Sequence, residues 1–149
     1  NDNSNLQVVV SGLKKDINLL SDDLSNKKIK NLRLNVSAPF HCKYMKTASE
    51  KMTSFINDLN INELEKPIIS NVTANEISSP KEIKSLLISQ IEKKVRWLES
   101  VEYMINNGVK NFVEIGPGKV LSGLIKRINK NVNVRSINSV EDIKLLIND

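Results

Sequence analysis

His41 is the only histidine among the 149 residues, and imidazole is the side chain whose unperturbed titration falls near neutral pH. It stands in Ser37-Ala38-Pro39-Phe40-His41-Cys42. A ring of this kind suits general acid–base work, taking a proton from a nucleophile and returning it to a leaving group. A matching nucleophile is not found. The turn that exposes a catalytic serine reads Gly-x-Ser-x-Gly, and that pattern is absent from the sequence. Ser11-Gly12 and Ser122-Gly123 lack the flanking glycines, and Ser37 lies on an alternating stretch with no turn of that type. Cys42 adjoins His41, but neighbouring side chains on extended backbone point apart, so Cys42 reads as a small packing residue. Gly116-Pro117-Gly118-Lys119 is no phosphate loop. That loop needs four residues between its glycines and Ser or Thr after the lysine, whereas Val120 follows Lys119. The two glycines fit a tight strand-to-helix turn instead.

Elements that would hold His41 are legible on both sides of it. Leu32, Leu34 and Val36 alternate with Arg33, Asn35 and Ser37, which predicts a strand with one apolar face. Met45, Ala48, Met52, Phe55 or Ile56, and Leu59 recur at helical spacing and predict a helix over about 43–59. Pro39 suits neither interior and marks the junction. Further upstream, Gln7 to Ser11 reads as a strand stopped by Gly12. Leu13, Ile17, Leu20 and Leu24 then form a helical stripe, and Ile29 to Val36 completes a βαβ unit.

Downstream of the histidine segment, Pro67 to Ser70 predicts a short strand and Asn71 to Asn75 a turn. Ser79 and Pro80 suit the cap and first position of a helix striped by Ile83, Leu86, Leu87 and Ile91. Trp97, Val101, Met104 and Ile105 stripe the next helix, closed by Asn107-Gly108. Strand Phe112 to Ile115, helix Val120 to Ile128, strand Val134 to Ile137 and helix Val140 to Ile147 follow. Such alternation implies an α/β protein with a parallel sheet covered by helices.

Composition narrows the classes. With 40% hydrophobic and 26% charged residues the chain is of ordinary globular type and long enough to bury a core. Apolar runs are too short to cross a membrane, and no charged-then-apolar leader opens the sequence. One cysteine excludes an internal disulfide and gives no metal cluster, so a reducing cytoplasmic setting without a metal is expected. The net charge of +5 includes the clusters Lys27, Lys28, Lys30 and Lys126, Arg127, Lys130. Aromatics are only 4%, too few for the interleaved stacking of a nucleic-acid binder. The basic clusters read better as a field that draws acidic or phosphate-bearing partners.

Four stretches, in order, resemble the bacterial malonyl-CoA:acyl-carrier-protein transacylases. Ser37-Ala38-Pro39-Phe40-His41-Cys42 with Tyr44-Met45 is similar to the family's histidine motif. Asn1-Asp2-Asn3-Ser4 with Gln7-Val8-Val9-Val10-Ser11-Gly12 resembles the segment before it. Val95-Arg96-Trp97 with Ser100-Val101-Glu102-Tyr103-Met104 resembles the segment after it. Glu114-Ile115-Gly116-Pro117-Gly118-Lys119-Val120-Leu121-Ser122-Gly123-Leu124 resembles the closing signature.

The resemblance implies an α/β fold in two pieces. Residues 37–149 would be the C-terminal part of an α/β-hydrolase-like parallel-sheet core. Residues 1–36 would be the C-terminal half of a ferredoxin-like βαβ subdomain. In that topology another strand separates the two strands of the βαβ unit, and this chain does not contain it. Either an open slot or a collapsed pair is therefore expected. With its first residue an asparagine, the sequence reads as the C-terminal part of a longer protein.

The resemblance further implies malonyl transfer from malonyl-CoA to the phosphopantetheine thiol of acyl carrier protein, in fatty acid biosynthesis, by a Ser-His ping-pong route. His41 would be the base and then the acid. Gln90 would orient it, chiefly through its backbone carbonyl. Phe40 would favour malonyl by filling the space an α-methyl branch needs. Malonyl-CoA enters as substrate and no cofactor or metal is implied. The partners are the acidic carrier protein and a coenzyme A thioester, with neither nucleic acid nor membrane. The family's serine, its substrate-gripping arginine and its early Gly-Gln-Gly segment are unmatched. None of Arg33, Arg96, Arg127 or Arg135 has that arginine's context, so this segment alone is expected to be inactive. Asn1 to Asn3 would border the cleft. Other readings are a non-catalytic carrier-binding fragment, the acyltransferase domain of a polyketide pathway, and a basic scaffold meeting nucleic acid.

Overall fold

The computed structural model describes residues 1–147. Two short strands, β1 (Asp2–Ser4) and β2 (Gln7–Val8), pair antiparallel with Ser4 opposite Gln7. The strand expected over Gln7 to Ser11 is thus cut to two residues, and its partner β1 was not foreseen. The apolar stripe from Leu13 to Leu24 forms α1 (Lys14–Asn26). Lys28 ends it in a left-handed conformation (φ +58), with Ile29 N–H donating back to Leu24 O at 2.8 Å. No residue of α1 is buried.

Residues 29–36 are not a strand. They take no regular structure, and Leu32, Leu34 and Val36 are exposed despite their alternation. The reason is physical: a strand exists only through ladder hydrogen bonds to a neighbour, and no described segment supplies one here. β2 takes β1 as its ladder partner.

A 3₁₀ turn over Lys43–Met45 leads into α2 (Lys46–Asp58), so the helix expected from 43 starts with a tightened turn. β3 (Ile68–Ile69) and β4 (Glu76–Ile77) make a small hairpin, Ile68 opposite Ile77. Arg96 secures its turn, donating from Nη1 to Thr73 O and from its backbone to Asn71 O, each 2.9 Å. α3 (Pro80–Glu92) begins with Pro80 in the first turn, where its missing N–H costs nothing. The Ser79 hydroxyl makes no capping bond, contrary to the sequence reading. α2 packs on α3, and Ile56 and Ile83 are buried.

α4 (Trp97–Asn106) closes at Gly108, whose φ of +89 lets Val109 N–H reach Met104 O at 3.0 Å. β5 (Asn111–Ile115), α5 (Val120–Ile128) and β6 (Asn133–Ile137) form a strand–helix–strand unit whose strands pair in parallel, Asn111 opposite Asn133 through Ile115 opposite Ile137. α6 (Val140–Ile147) follows.

The elements form two compact units. One contains Asn1 and Val9–Arg96; the other contains Asp2–Val8 and the chain from Trp97 onward. In the second, Val101, Ile125 and Val132 are buried together, with Trp97, Met104, Ile105, Phe112, Ile128 and Val134 packed around them.

Val101 is 0% exposed and Ile115 82% exposed, which sets a contrast. Val101→Ala should lower stability by about 2 kcal/mol through lost burial and a residual cavity. Ile115→Ala should change it by about 0.5 kcal/mol or less. Urea denaturation followed by Trp97 fluorescence measures both.

Candidate active site

The segment before His41 is held by a run of tied carbonyls. Phe40 N–H donates to Ala38 O (3.0 Å), the Cys42 thiol to Pro39 O (3.1 Å), and Met45 N–H to Cys42 O (2.9 Å). Between these ties His41 has φ +60, a left-handed conformation that costs a non-glycine residue about 1–2 kcal/mol. The backbone there is bent, and the ring is turned toward the last turn of α3.

His41 Nδ1 lies 2.9 Å from Gln90 O. That oxygen is available because α3 stops at Glu92. A carbonyl in the last four residues of a helix has no intrahelical donor and must find another. A carbonyl only accepts, so Nδ1 carries the hydrogen, and in the neutral ring Nε2 keeps its lone pair. The Gln90 side-chain nitrogen also lies 3.4 Å from Nδ1. Two donors cannot share that contact, and the shorter carbonyl bond decides the tautomer.

Of the residues singled out in the sequence, His41 and Gln90 are brought into direct contact and are both partly buried. Phe40, next to His41 in the chain, is 46% exposed. The Cys42 thiol donates to Pro39 O. One contributor was missed. Ser11 donates its hydroxyl to Phe40 O at 2.6 Å, a contact spanning 29 positions. No local pattern announces such a bond.

In the other unit the sequence reading also missed Glu114, which caps α5: its carboxylate accepts from Leu121 N–H (3.0 Å) and Ser122 N–H (2.7 Å). The hydroxyls of Ser122 and Ser136 share a bond of 2.7 Å. The Ser122 hydroxyl first, then its N–H, hold the Glu114 carboxyl below the usual carboxylate range. The signal was a glutamate at the end of a strand, seven residues before a helical N–H. The turn between them uses Gly116 (φ +133) and Gly118 (φ +96), conformations that favour glycine, as the sequence required. Asp142 plays a similar part at α6. It accepts from Asn138 N–H (2.8 Å) and Ser139 N–H (3.0 Å), and the Ser139 hydroxyl accepts from Asp142 N–H. The Asn138 bond chiefly holds its carboxyl low.

Among the described residues no group of three or more His, Cys, Asp or Glu could hold a metal ion. No helix among them is long and apolar enough to cross a membrane.

The chain matches no protein-family model. It is 39% identical over 142 residues to the malonyl CoA-acyl carrier protein transacylase of Bacillus subtilis (strain 168), covering 95% of this chain and 45% of that protein. It is 41% identical over 141 residues to the same-named protein of Staphylococcus aureus (strain COL), covering 93% and 45%. The chain belongs to the malonyl CoA-acyl carrier protein transacylase family. It spans just under half the length of these curated relatives. Solved structures of the family agree. The acyl-carrier-protein-S-malonyltransferase of Bartonella henselae superimposes with a TM-score of 0.85 at 36% identity, over 90% of this chain and 43% of that one. A malonyl-transacylase solved in complex with its holo type II PKS acyl-carrier protein gives 0.84 at 32% identity, over 93% and 45%. The α/β class read from alternating strands and helices is the class of these transacylases.

Two outcomes follow. Because the contact runs through backbone, Gln90→Ala should leave His41 in the Nδ1–H tautomer, read from imidazole ¹⁵N shifts. Loss of that tautomer would assign the contact to the side chain. Glu114 and Asp142 are held low, so each favours the folded state while ionised. That contribution is complete above the unfolded value and is lost as pH falls through the depressed folded one. Stability to urea should therefore decline on acidification below about pH 4.5 for Glu114. Glu114→Gln should flatten part of this decline, and an unaltered profile would rule out the cap as its source.

Proposed function

We propose that this chain carries the acid–base half of a malonyl-CoA:acyl-carrier-protein transacylase. The bond from His41 Nδ1–H to Gln90 O, which leaves Nε2 as the free base in a family member of about 40% identity, is the observation that carries this reading. A serine from polypeptide outside these 149 residues would supply the nucleophile, since no Gly-x-Ser-x-Gly occurs here.

The transfer has two symmetrical halves. His41 Nε2 takes the serine proton as the serine oxygen bonds to the thioester carbon of malonyl-CoA. The C–S bond breaks, and the imidazolium gives its proton to the departing coenzyme A thiolate. A malonyl-serine ester remains. The carrier's phosphopantetheine thiol then gives its proton to Nε2 and attacks the ester carbon, and the serine oxygen leaves with that proton. Both substrates bring their own reactive groups, so no cofactor or metal takes part. Fatty acid biosynthesis is the setting, in a reducing cytoplasm that suits the single Cys42 thiol. A polyketide carrier would use the same chemistry, as the solved complex of a related transacylase with such a carrier illustrates.

Gln90 orients the base. Phe40, beside His41, limits the room for an α-methyl branch and favours malonyl. Residues 1–36 are half of a ferredoxin-like subdomain and 37–149 part of the acyltransferase core. The unpaired alternating stretch 29–36 supports the first assignment, as it is what a strand lacking its neighbour looks like.

Alone, the chain should form no covalent adduct with labelled malonyl-CoA. Co-expressed with the remainder of the Bacillus subtilis relative, it should transfer malonyl to holo carrier protein. His41→Ala should then cost about a hundredfold or more in kcat. Normal rates in that variant would refute the reading. Carrier binding by the lone chain with no turnover in either arrangement would favour a non-catalytic carrier-binding role.

A further inference from the structure

The left-handed backbone at His41 needs something outside its own loop to keep it there. Peptide 40–41 is one rigid plane, so the direction of Phe40 O and the φ of His41 move together. Relaxing His41 to an ordinary negative φ swings that plane, and Phe40 O with it. The ties on Ala38 O, Pro39 O and Cys42 O all come from within three residues and travel with the loop. The tie on Phe40 O does not. Its donor is the Ser11 hydroxyl, 29 positions upstream at 2.6 Å.

The segment that carries Ser11 is itself anchored. Val9 N–H donates to Asn1 O and Val9 O accepts from the Asn1 nitrogen, both at 2.8 Å. Just beyond, Ile17 N–H donates to Leu13 O at the start of α1. Two references from distant parts of the chain thus bracket His41: Ser11 on the peptide before it and Gln90 O on its ring.

We propose that Ser11 is a positioning residue for His41, its hydroxyl fixing peptide 40–41 so that the imidazole meets Gln90 O and presents Nε2. The inference rests on the transacylase reading for its functional meaning, but its geometry stands independently. Ser11 touches no reacting atom; it acts through Phe40 O.

The test uses the 149-residue chain labelled with ¹⁵N-histidine, whose ring shifts report the tautomer of the single histidine. In the unchanged chain the Nδ1–H form should dominate. In Ser11→Ala its ratio to the Nε2–H form should fall about fivefold, the worth of one neutral hydrogen bond. Ser11→Thr keeps the hydroxyl and should preserve the ratio. Ser11→Cys, a weaker donor of similar shape, should give an intermediate fall and serves if the alanine variant does not fold. An unchanged ratio in a folded Ala or Cys variant overturns the proposal, as does an equal fall in Ala and Thr. Turnover is not read, so the outcome is separable from the fate of the transacylase reading. Loss of activity in His41→Ala with an unmoved tautomer in Ser11→Ala rejects this inference alone.

Discussion

The hydrogen bond from His41 Nδ1–H to Gln90 O depends on a helix that stops early and on a backbone that bends the unusual way. Because α3 ends at Glu92, the carbonyl of Gln90 has no intrahelical donor. Because His41 is left-handed, its ring can supply one. Each feature is unfavourable alone. An orphan carbonyl away from water costs about 1–3 kcal/mol, and left-handed backbone at a non-glycine residue about 1–2 kcal/mol. Joined, the first cost is removed and the second is offset. The resulting tautomer is fixed by what a carbonyl can do, which is accept.

Backbone acceptors recur as the means of control. Phe40 O, Pro39 O and Gln90 O hold the serine, cysteine and histidine side chains respectively. Around the second unit's turns the roles reverse: the Glu114 carboxylate accepts from N–H groups in the first turn of α5, and the Asp142 carboxylate from the two N–H groups just before α6. This is why Gly116-Pro117-Gly118-Lys119 does not behave as an anion loop. The helix donors beyond it are already occupied by a carboxylate of the same chain.

Elements with complete local signals were legible in the sequence. α5 was read at its observed bounds, β5 and β6 to within a residue, and the Gly108 cap from Asn107-Gly108. Those signals are periodicity and turn chemistry, which act over a few residues. The strand expected over 29–36 had equally clear alternation and did not form, since pairing is a property of two segments. β1 and β4 were missed for the complementary reason: three and two residues are too short to show a period. In the site, the resemblance pointed to His41, Gln90 and Phe40. The Ser11 contact had no pattern to betray it.

By itself the sequence determined the helices, the parallel pair and the glycine-bearing turns, because side-chain spacing and the φ demands of glycine and proline are written residue by residue. It also supplied the family motifs and a lone imidazole. Only the tertiary structure decided which nitrogen of that imidazole is free and which distant hydroxyl steadies its peptide. Both answers turn on a hydrogen bond between parts of the chain that are remote in sequence, 49 positions apart for His41 and Gln90 and 29 for Ser11 and Phe40. Their meeting depends on how the segments pack, and no local spacing records that.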